Sequence, residues 1–260
     1  MIKLSPNTMF SYSVSKGTAE ARAKLAERIN DKVFKNVLDL YGKKGSCGLG
    51  SIKQRYNLAL PERKNVNIVP LPVKDYEDFG GGMQIEDIGD RILGYSIQIP
   101  VSKKRKMNIL DLPEFMHEST HVLDYLLNPR YISNTKRMYD LNIFEKEYFS
   151  IYEKLFDNPD AMFSNSAKKM LFLADEKTRE AIKDLPFKEK ITFLKYIKYN
   201  MQMEDHAYNQ DLKFAKLMKK LGRPTDSESL QDYASVMHFR KKIGIVNNII
   251  QEELAKARVK

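Results

Sequence analysis

Apolar residues recur at helical spacing in the amino-terminal part of the chain. Within residues 18–41 they occur every fourth residue, at Ala21, Leu25, Ile29, Val33 and Val37. This spacing places them on one face of an α-helix. The pattern therefore predicts a helix over 18–41, ended by the glycines at positions 42 and 45. A loop that carries Cys47 is expected to follow it.

Between residues 66 and 101 the pattern becomes that of β-strands. The segment VNIVPLPV, from residue 66, is β-branched and interrupted by prolines, which is typical of an edge strand. A glycine-rich turn, a second strand and a turn at Gly89-Asp90 follow. In the segment 93–101, Tyr95, Ile97 and Ile99 alternate with small or polar residues. This alternation predicts a strand that is half buried or lies at the edge of its sheet.

After a basic turn at 102–107 the pattern is almost wholly helical. Asp111, Pro113 and Glu114 form a helix start, with a capping aspartate, a proline in the first turn and a glutamate at the capping-box position. This helix is expected to run from residue 112 to about Leu127 and to end before Asn128-Pro129. Further helices are predicted at 140–156, 166–182, 188–221 and 227–257.

The order of these elements predicts an α+β fold. A small sheet in the amino-terminal half precedes a mainly helical carboxyl-terminal half. The change of character near residue 60 divides the chain into a helical amino-terminal extension, 1–60, and one compact domain, 61–260. The 260 residues, 42% of them hydrophobic, are sufficient for one large core.

The chain is basic, with 44 Lys and Arg against 34 Asp and Glu and a net charge of +10. A nucleic-acid partner must therefore be considered, because clustered cations release counterions from phosphate. The cations are scattered, however, apart from short groups at 103–106, 240–242 and 256–260. We favour a solvated basic surface, with nucleic acid as an alternative partner.

The composition also bears on the cellular compartment. No apolar run approaches the roughly 20 residues that span a bilayer, and the first residues lack the apolar segment of a secretory signal. Cys47 is the only cysteine, so neither an internal disulfide nor a multi-thiolate metal site can form. A cytoplasmic location is the default expectation. Non-classical export and association with a virion remain open.

Residues 117–121, His-Glu-Ser-Thr-His, carry the pattern H-E-x-x-H inside the helix predicted from residue 112. Positions i and i+4 lie about 40° apart around a helix, so both imidazoles leave the same face. Two nitrogens so placed suit one Zn²⁺ ion. Glu118 is offset from them and is expected to act as the general base toward a water that the metal acidifies.

In this motif the chain resembles the zincin zinc metallopeptidases. The resemblance covers roughly residues 66–127 and a later helix. It implies a zincin-like domain over 61–260, a small twisted mixed sheet before the active-site helix, and one Zn²⁺ ion. It also implies an edge strand that pairs with an extended peptide substrate. The segment RILGYSIQIPV, residues 91–101, is expected to be that strand.

A catalytic zinc site of this kind needs a third protein ligand. The metzincin pattern would require glycine at 124 and histidine at 127, where this chain has Asp124 and Leu127. The gluzincin pattern instead places a glutamate on a later helix. The segment from Glu204 to Tyr208 resembles such a ligand helix, which makes Glu204 the expected third ligand. Asp205 and His206 are the alternatives.

Further roles follow from the same resemblance. Asp124, about one turn after His121, is a candidate to orient a ligand imidazole. Tyr208 and His238 are the candidates to stabilise an oxyanion.

Three functions are consistent with these residues. The favoured one is a zinc-dependent endopeptidase, a hydrolase with narrow specificity that acts as a toxin, effector or processing protease on a protein or peptide. The second is a zincin-fold protein without turnover that binds a partner or has a structural role, for example in a virion. The third is a protein that acts at nucleic acid. The pocket residues that select a substrate, and the oligomeric state, cannot be read from the sequence.

Overall fold

The structure, a computed structural model, combines long helices with two small sheets, so the predicted α+β class is confirmed. The residues that it describes are 19–42, 44–60, 66–72, 82–88, 91–127, 175–176, 178–180, 182–225 and 233–258. The helix predicted at 140–156 lies outside these residues, as does most of the helix predicted at 166–182.

The chain forms two compact units. The first comprises residues 1–129 and 210–230, and the second comprises residues 130–209 and 231–260. Residues on both sides of position 60 therefore belong to the first unit. Its described amino-terminal helix shares one apolar core with the H-E-x-x-H helix and is not an appendage to it. The zincin-like assignment of residues 61–260 stays a prediction.

Helix α1, Ala19–Tyr41, closely matches the helix predicted from residue 18. Its apolar face is buried at Ile29, Val33 and Val37, which lie in the core of the first unit. Gly42 follows with a φ of 49°. This left-handed conformation commonly ends a helix, and glycine adopts it without strain.

Strand β1, Ser46–Gly48, and helix α2, Leu49–Ala59, occupy a region where only a loop was expected. That expectation was wrong. The helix buries Leu49, Ile52, Tyr56 and Ala59 along one face, and packing of this face stabilises it despite the glycines at its start. Cys47 is buried in β1, and burial raises the pKa of its thiol.

Three strands form a mixed sheet in the order β2-β4-β3. They are β2, Val66–Pro72, β3, Gly82–Ile88, and β4, Arg91–Val101. Strand β2 is parallel to β4, and β3 is antiparallel to it. Strand β2 lies at an edge, as predicted.

The prediction that β4 is the edge strand was wrong, because β4 is paired along both of its sides. Its consecutive residues Tyr95, Ser96 and Ile97 are all buried. Burial of neighbouring residues, which point to opposite faces, means that the strand is covered on both faces. Strand β3 is the antiparallel strand at the edge of this sheet.

A capped turn leads into the H-E-x-x-H helix. Strand β5, Lys106–Asn108, pairs antiparallel with β1 and is followed by a 3-10 turn, Ile109–Asp111. The Asn108 side chain accepts a hydrogen bond from the N–H of Leu110, and the Asp111 side chain accepts one from the N–H of Asn108. This capping box lies one turn before the predicted one, because the 3-10 turn continues directly into the helix.

Helix α3, Leu112–Leu127, has the predicted bounds. All of its residues are buried except Glu114 and Tyr125. The ring of Phe115 packs edge-on against Tyr56 of α2, with centroids 5.5 Å apart. A helix that is buried on nearly all sides must find partners for its polar side chains inside the protein.

Helices α4, Phe187–Lys220, and α5, Tyr233–Arg258, correspond to the predicted helices at 188–221 and 227–257. Helix α4 continues without a break from the second unit into the first. In the second unit, Leu194 and Ile197 of α4 share an apolar core with Ile249 of α5. Within the described parts of the chain, every helix falls short of the length and hydropathy that a membrane span requires.

Helix α4 anchors in the first unit through Phe214, which is fully buried and stacks on Phe34 of α1 with ring centroids 4.4 Å apart. We expect Phe214→Ala to lower the free energy of unfolding by about 3–5 kcal/mol. The control Leu217→Ala removes a side chain that is 37% exposed on the same helix. It should cost less than about 1 kcal/mol. Urea unfolding followed by circular dichroism measures both, and equal losses would contradict the anchoring role of Phe214.

Candidate metal centre

Helix α3 brings the two histidines of the motif together. The Nε2 atoms of His117 and His121 are 3.0 Å apart, and the ring centroids are 4.7 Å apart with the planes at 77°. Both residues are buried, with exposed fractions of 9% and 8%. The prediction that both rings leave one face of a helix, with their nitrogens converging, is confirmed at the level of geometry.

A carboxylate holds the first histidine. The Nδ1 atom of His117 lies 2.9 Å from Oδ2 of Asp211, a residue of α4 in the first unit. Since a carboxylate only accepts, Nδ1 carries the proton and donates it. In the neutral ring the lone pair is then on Nε2, the atom that faces His121. The contact therefore sets the tautomer that a metal ligand requires.

Asp211 is itself buried, with an exposed fraction of 6%. Burial raises the pKa of its carboxyl, and the neighbouring His117 opposes this rise. The second oxygen, Oδ1, is buried and has no hydrogen-bond partner among the described residues. A buried carboxylate with one oxygen unsatisfied is costly in a core that has only a structural role.

Glu204 lies on the same helix as Asp211, seven residues earlier. Seven residues make about two turns, so both side chains leave the helix from the same face. The ligand atoms of His117, His121 and Glu204 all lie within 4.8 Å of one another. Glu204 is partly exposed and belongs to the second unit, whereas both histidines are buried in the first, so its role as third ligand stays a prediction.

Glu118 adjoins this cluster. It is 8% exposed and lies close enough to Asp211 that its charge raises the pKa of that carboxyl. Glu118 follows His117 on α3 and therefore points about 100° away from it around the helix. This offset places the Glu118 carboxylate beside the histidine pair and not in line with it.

The other candidate residues have different surroundings. The carboxylate of Asp205 accepts a hydrogen bond from Arg240 at 3.0 Å, and Tyr208 packs against the apolar core of the second unit. His206 is partly buried on α4, and Asp124 is buried on α3. The side chain of His238 lies outside the described residues. The roles suggested for Asp124, Tyr208 and His238 stay predictions.

Asp211 was not predicted from the sequence. A signal was present, because an acidic residue seven positions after a glutamate ligand lies on the same helical face two turns away. The spacing alone does not separate it from an ordinary surface aspartate. Its contact with His117 joins residues 94 positions apart in the chain.

The donor set fits Zn²⁺. Two imidazole nitrogens and one carboxylate are ligands found in catalytic zinc sites, and a carboxylate behind a ligand histidine is a common second partner. Tetrahedral ligands at about 2.0–2.1 Å from zinc are roughly 3.3 Å apart. The observed separation of 3.0 Å between the two Nε2 atoms is close to this value. The buried carboxylates of Glu118 and Asp211 beside the histidines also favour a cation over an anion.

Comparisons of the chain with protein-family models, with curated proteins and with solved structures find no match. The assignment of the site therefore depends on its geometry and donor chemistry alone. Those features define a candidate metal centre built on two imidazoles, with the buried carboxylates of Glu118 and Asp211 beside them and Glu204 as the predicted third ligand.

The contact between His117 and Asp211 leads to a direct test. We expect Asp211→Asn to weaken zinc binding by about 10- to 100-fold, because an amide holds the His117 tautomer less firmly and adds no negative charge. The control Asp205→Asn changes a nearby carboxylate on the same helix that bonds to Arg240. It should leave zinc affinity unchanged. Competition against a chromogenic chelator measures both, and the reverse ranking would make Asp205 the metal-site residue.

Proposed function

We propose that the chain is a zinc-dependent endopeptidase that hydrolyses peptide bonds. The observation that carries this proposal is the convergence of the Nε2 atoms of His117 and His121 beside the buried carboxylates of Glu118 and Asp211. Two further features support it. Asp211 sets the tautomer of His117, and nearly all residues of the H-E-x-x-H helix are buried.

In the proposed reaction these residues have different roles. His117, His121 and Glu204 would hold the ion, and Asp211 orients His117. When bound, Zn²⁺ supplies a Lewis acid that makes water more acidic and polarises a carbonyl group. Glu118 then takes the proton of the attacking water and passes it to the nitrogen of the leaving amine, so that the carboxylate is regenerated.

A metal centre alone does not make a protease, and Glu118 is the residue that argues for turnover. Its carboxylate is buried beside the histidine pair, where a general base must lie. A protein that merely used a metal to stabilise its fold would need only the ligands, and an additional buried carboxylate would then be a cost.

The sheet offers a place for an extended substrate. Strand β3 lies at an edge of the described three-stranded sheet and contacts helix α3. An extended peptide can add to such an edge by main-chain hydrogen bonds. In this proposal β3, and not β4, is the edge strand that pairs with an extended peptide substrate. The narrow specificity suggested by the sequence, that of a toxin, effector or processing protease, remains part of the proposal.

The proposal predicts one bound zinc ion and a peptidase that a chelator inactivates. We expect Glu118→Gln to retain zinc while it lowers peptide cleavage by about 10²- to 10⁴-fold, because the amide cannot accept the proton. Zinc content is measured by elemental analysis, and cleavage of a diverse peptide library is measured by mass spectrometry. Glu176→Gln, at an exposed glutamate of the second unit, is the control and should change neither.

The outcomes separate the alternatives. Zinc binding without cleavage of any peptide would favour a zincin-fold scaffold that lacks turnover. A protein that neither contains nor takes up zinc would refute the metal centre itself. Full activity of Glu118→Gln would show that another group is the base.

A further inference from the structure

Helix α3 carries two buried hydroxyl residues between its two histidines. Ser119 and Thr120, the two variable positions of the H-E-x-x-H motif, are both 0% exposed. They meet Asn30 of α1 and Tyr56 of α2, which are also 0% exposed. These four side chains form a polar cluster, here called the anchor network, inside the otherwise apolar core of the first unit.

The anchor network is connected by hydrogen bonds. The hydroxyl of Thr120 donates to the carbonyl of Met116 at 2.7 Å, and Nδ2 of Asn30 donates to Oγ1 of Thr120 at 3.1 Å. The hydroxyl of Ser119 lies 3.3 Å from Oδ1 of Asn30 and 3.2 Å from the hydroxyl of Tyr56. The network therefore joins α1, α2 and α3.

The number of available protons determines which group donates and which accepts in each hydrogen bond of the network. Oδ1 of Asn30 can only accept, so Ser119 donates its single proton there. Between the two hydroxyls Tyr56 must then be the donor and Ser119 the acceptor. Burial raises the pKa of the Tyr56 phenol, so its proton stays in place at ordinary pH. Each hydroxyl proton in the network has an acceptor.

The effect of the network on the rotation of α3 depends on where Ser119 lies around the helix. Ser119 lies midway between His117 and His121 and is therefore about 160° from each around the helix axis. Bonds from Ser119 to α1 and α2 act on the side opposite the metal ligands. A rotation of α3 about its axis moves the imidazoles on one side and breaks these bonds on the other.

An apolar contact would resist such rotation less well. Dispersion contacts are weak individually and have no preferred direction, whereas a hydrogen bond weakens steeply when its angle changes. Inside a core, a polar group that loses its partner has no water to replace it. The anchor network therefore penalises small rotations that a purely apolar face would tolerate.

We propose that the anchor network of Asn30, Tyr56, Ser119 and Thr120 sets the rotation of α3 and thereby the angle at which His117 and His121 meet a metal ion. Asn30 is a positioning residue, since it bonds to both variable positions of the motif. This inference rests on the proposed metal centre.

The test uses Co²⁺ in place of zinc, because its visible absorption reports the geometry of the ligands. Asn30→Leu keeps the branching and the number of side-chain heavy atoms of the native residue but makes no side-chain hydrogen bond. We expect it to change the Co²⁺ spectrum and to weaken zinc binding by about tenfold, the lower end of the range for outer partners of metal ligands. Thr120→Val should change the spectrum in the same sense. Thr120→Ser, which keeps the hydroxyl, should restore it.

Two further variants separate positioning from general stability. Val33→Ala truncates a fully buried apolar residue about one turn from Asn30 on the same helix. It should lower the melting temperature and leave the Co²⁺ spectrum unchanged. Tyr56→Phe removes one hydroxyl only, so it provides a measurement if Asn30→Leu does not fold. It should produce a smaller spectral change than Thr120→Val.

The results distinguish this inference from the proposed function. If the native protein binds neither Co²⁺ nor Zn²⁺, the metal centre fails and the inference fails with it. If the native protein binds the metal and the network variants retain the native spectrum and affinity, only the inference is overturned. A spectral change in Val33→Ala equal to that in the network variants would also overturn it.

Discussion

The hydrogen bond from Nδ1 of His117 to Asp211 is the interaction on which the candidate site depends. A neutral imidazole has one proton and one lone pair, and the atom that holds the proton cannot bind a metal. By accepting the hydrogen bond from Nδ1–H, Asp211 leaves the lone pair of His117 on Nε2, the atom that faces His121. Without this contact the two rings would still be neighbours on the helix, but their protonation would be undetermined.

The same contact links the two helices that carry the site. Asp211 lies on α4, so its bond to His117 holds this part of α4 against α3. Glu204, two turns earlier on the same helix, stays the predicted third ligand. On the side of α3 opposite the histidines, Ser119 of the anchor network forms a second set of directional hydrogen bonds. The motif helix is therefore held from both sides by polar contacts within an apolar core.

Local features of the site could be predicted from the sequence, and long-range ones could not. The helix from residue 112 to 127 and the shared face of His117 and His121 follow from helical periodicity and capping signals. The contact of Asp211 depends on how two distant helices pack, which no local pattern specifies. The order of the strands is of the same kind, because alternation in β4 predicts a strand but not its neighbours in the sheet. Helix α2 was missed since its glycines outweighed an apolar face of only four residues.

The balance of charge argues against a purely structural explanation of the cluster. Buried ionisable groups in a core are usually paired with opposite charges, because desolvation penalises each charge that lacks a partner. Here the buried carboxylates of Glu118 and Asp211 lie beside two imidazoles, and an imidazole is neutral when it acts as a metal ligand. Such a set has more negative than positive charge in a site where water is scarce, and burial already raises the pKa of Asp211. A divalent cation would neutralise this excess directly. In a core selected only for stability, apolar residues in place of such buried carboxylates would avoid the desolvation cost.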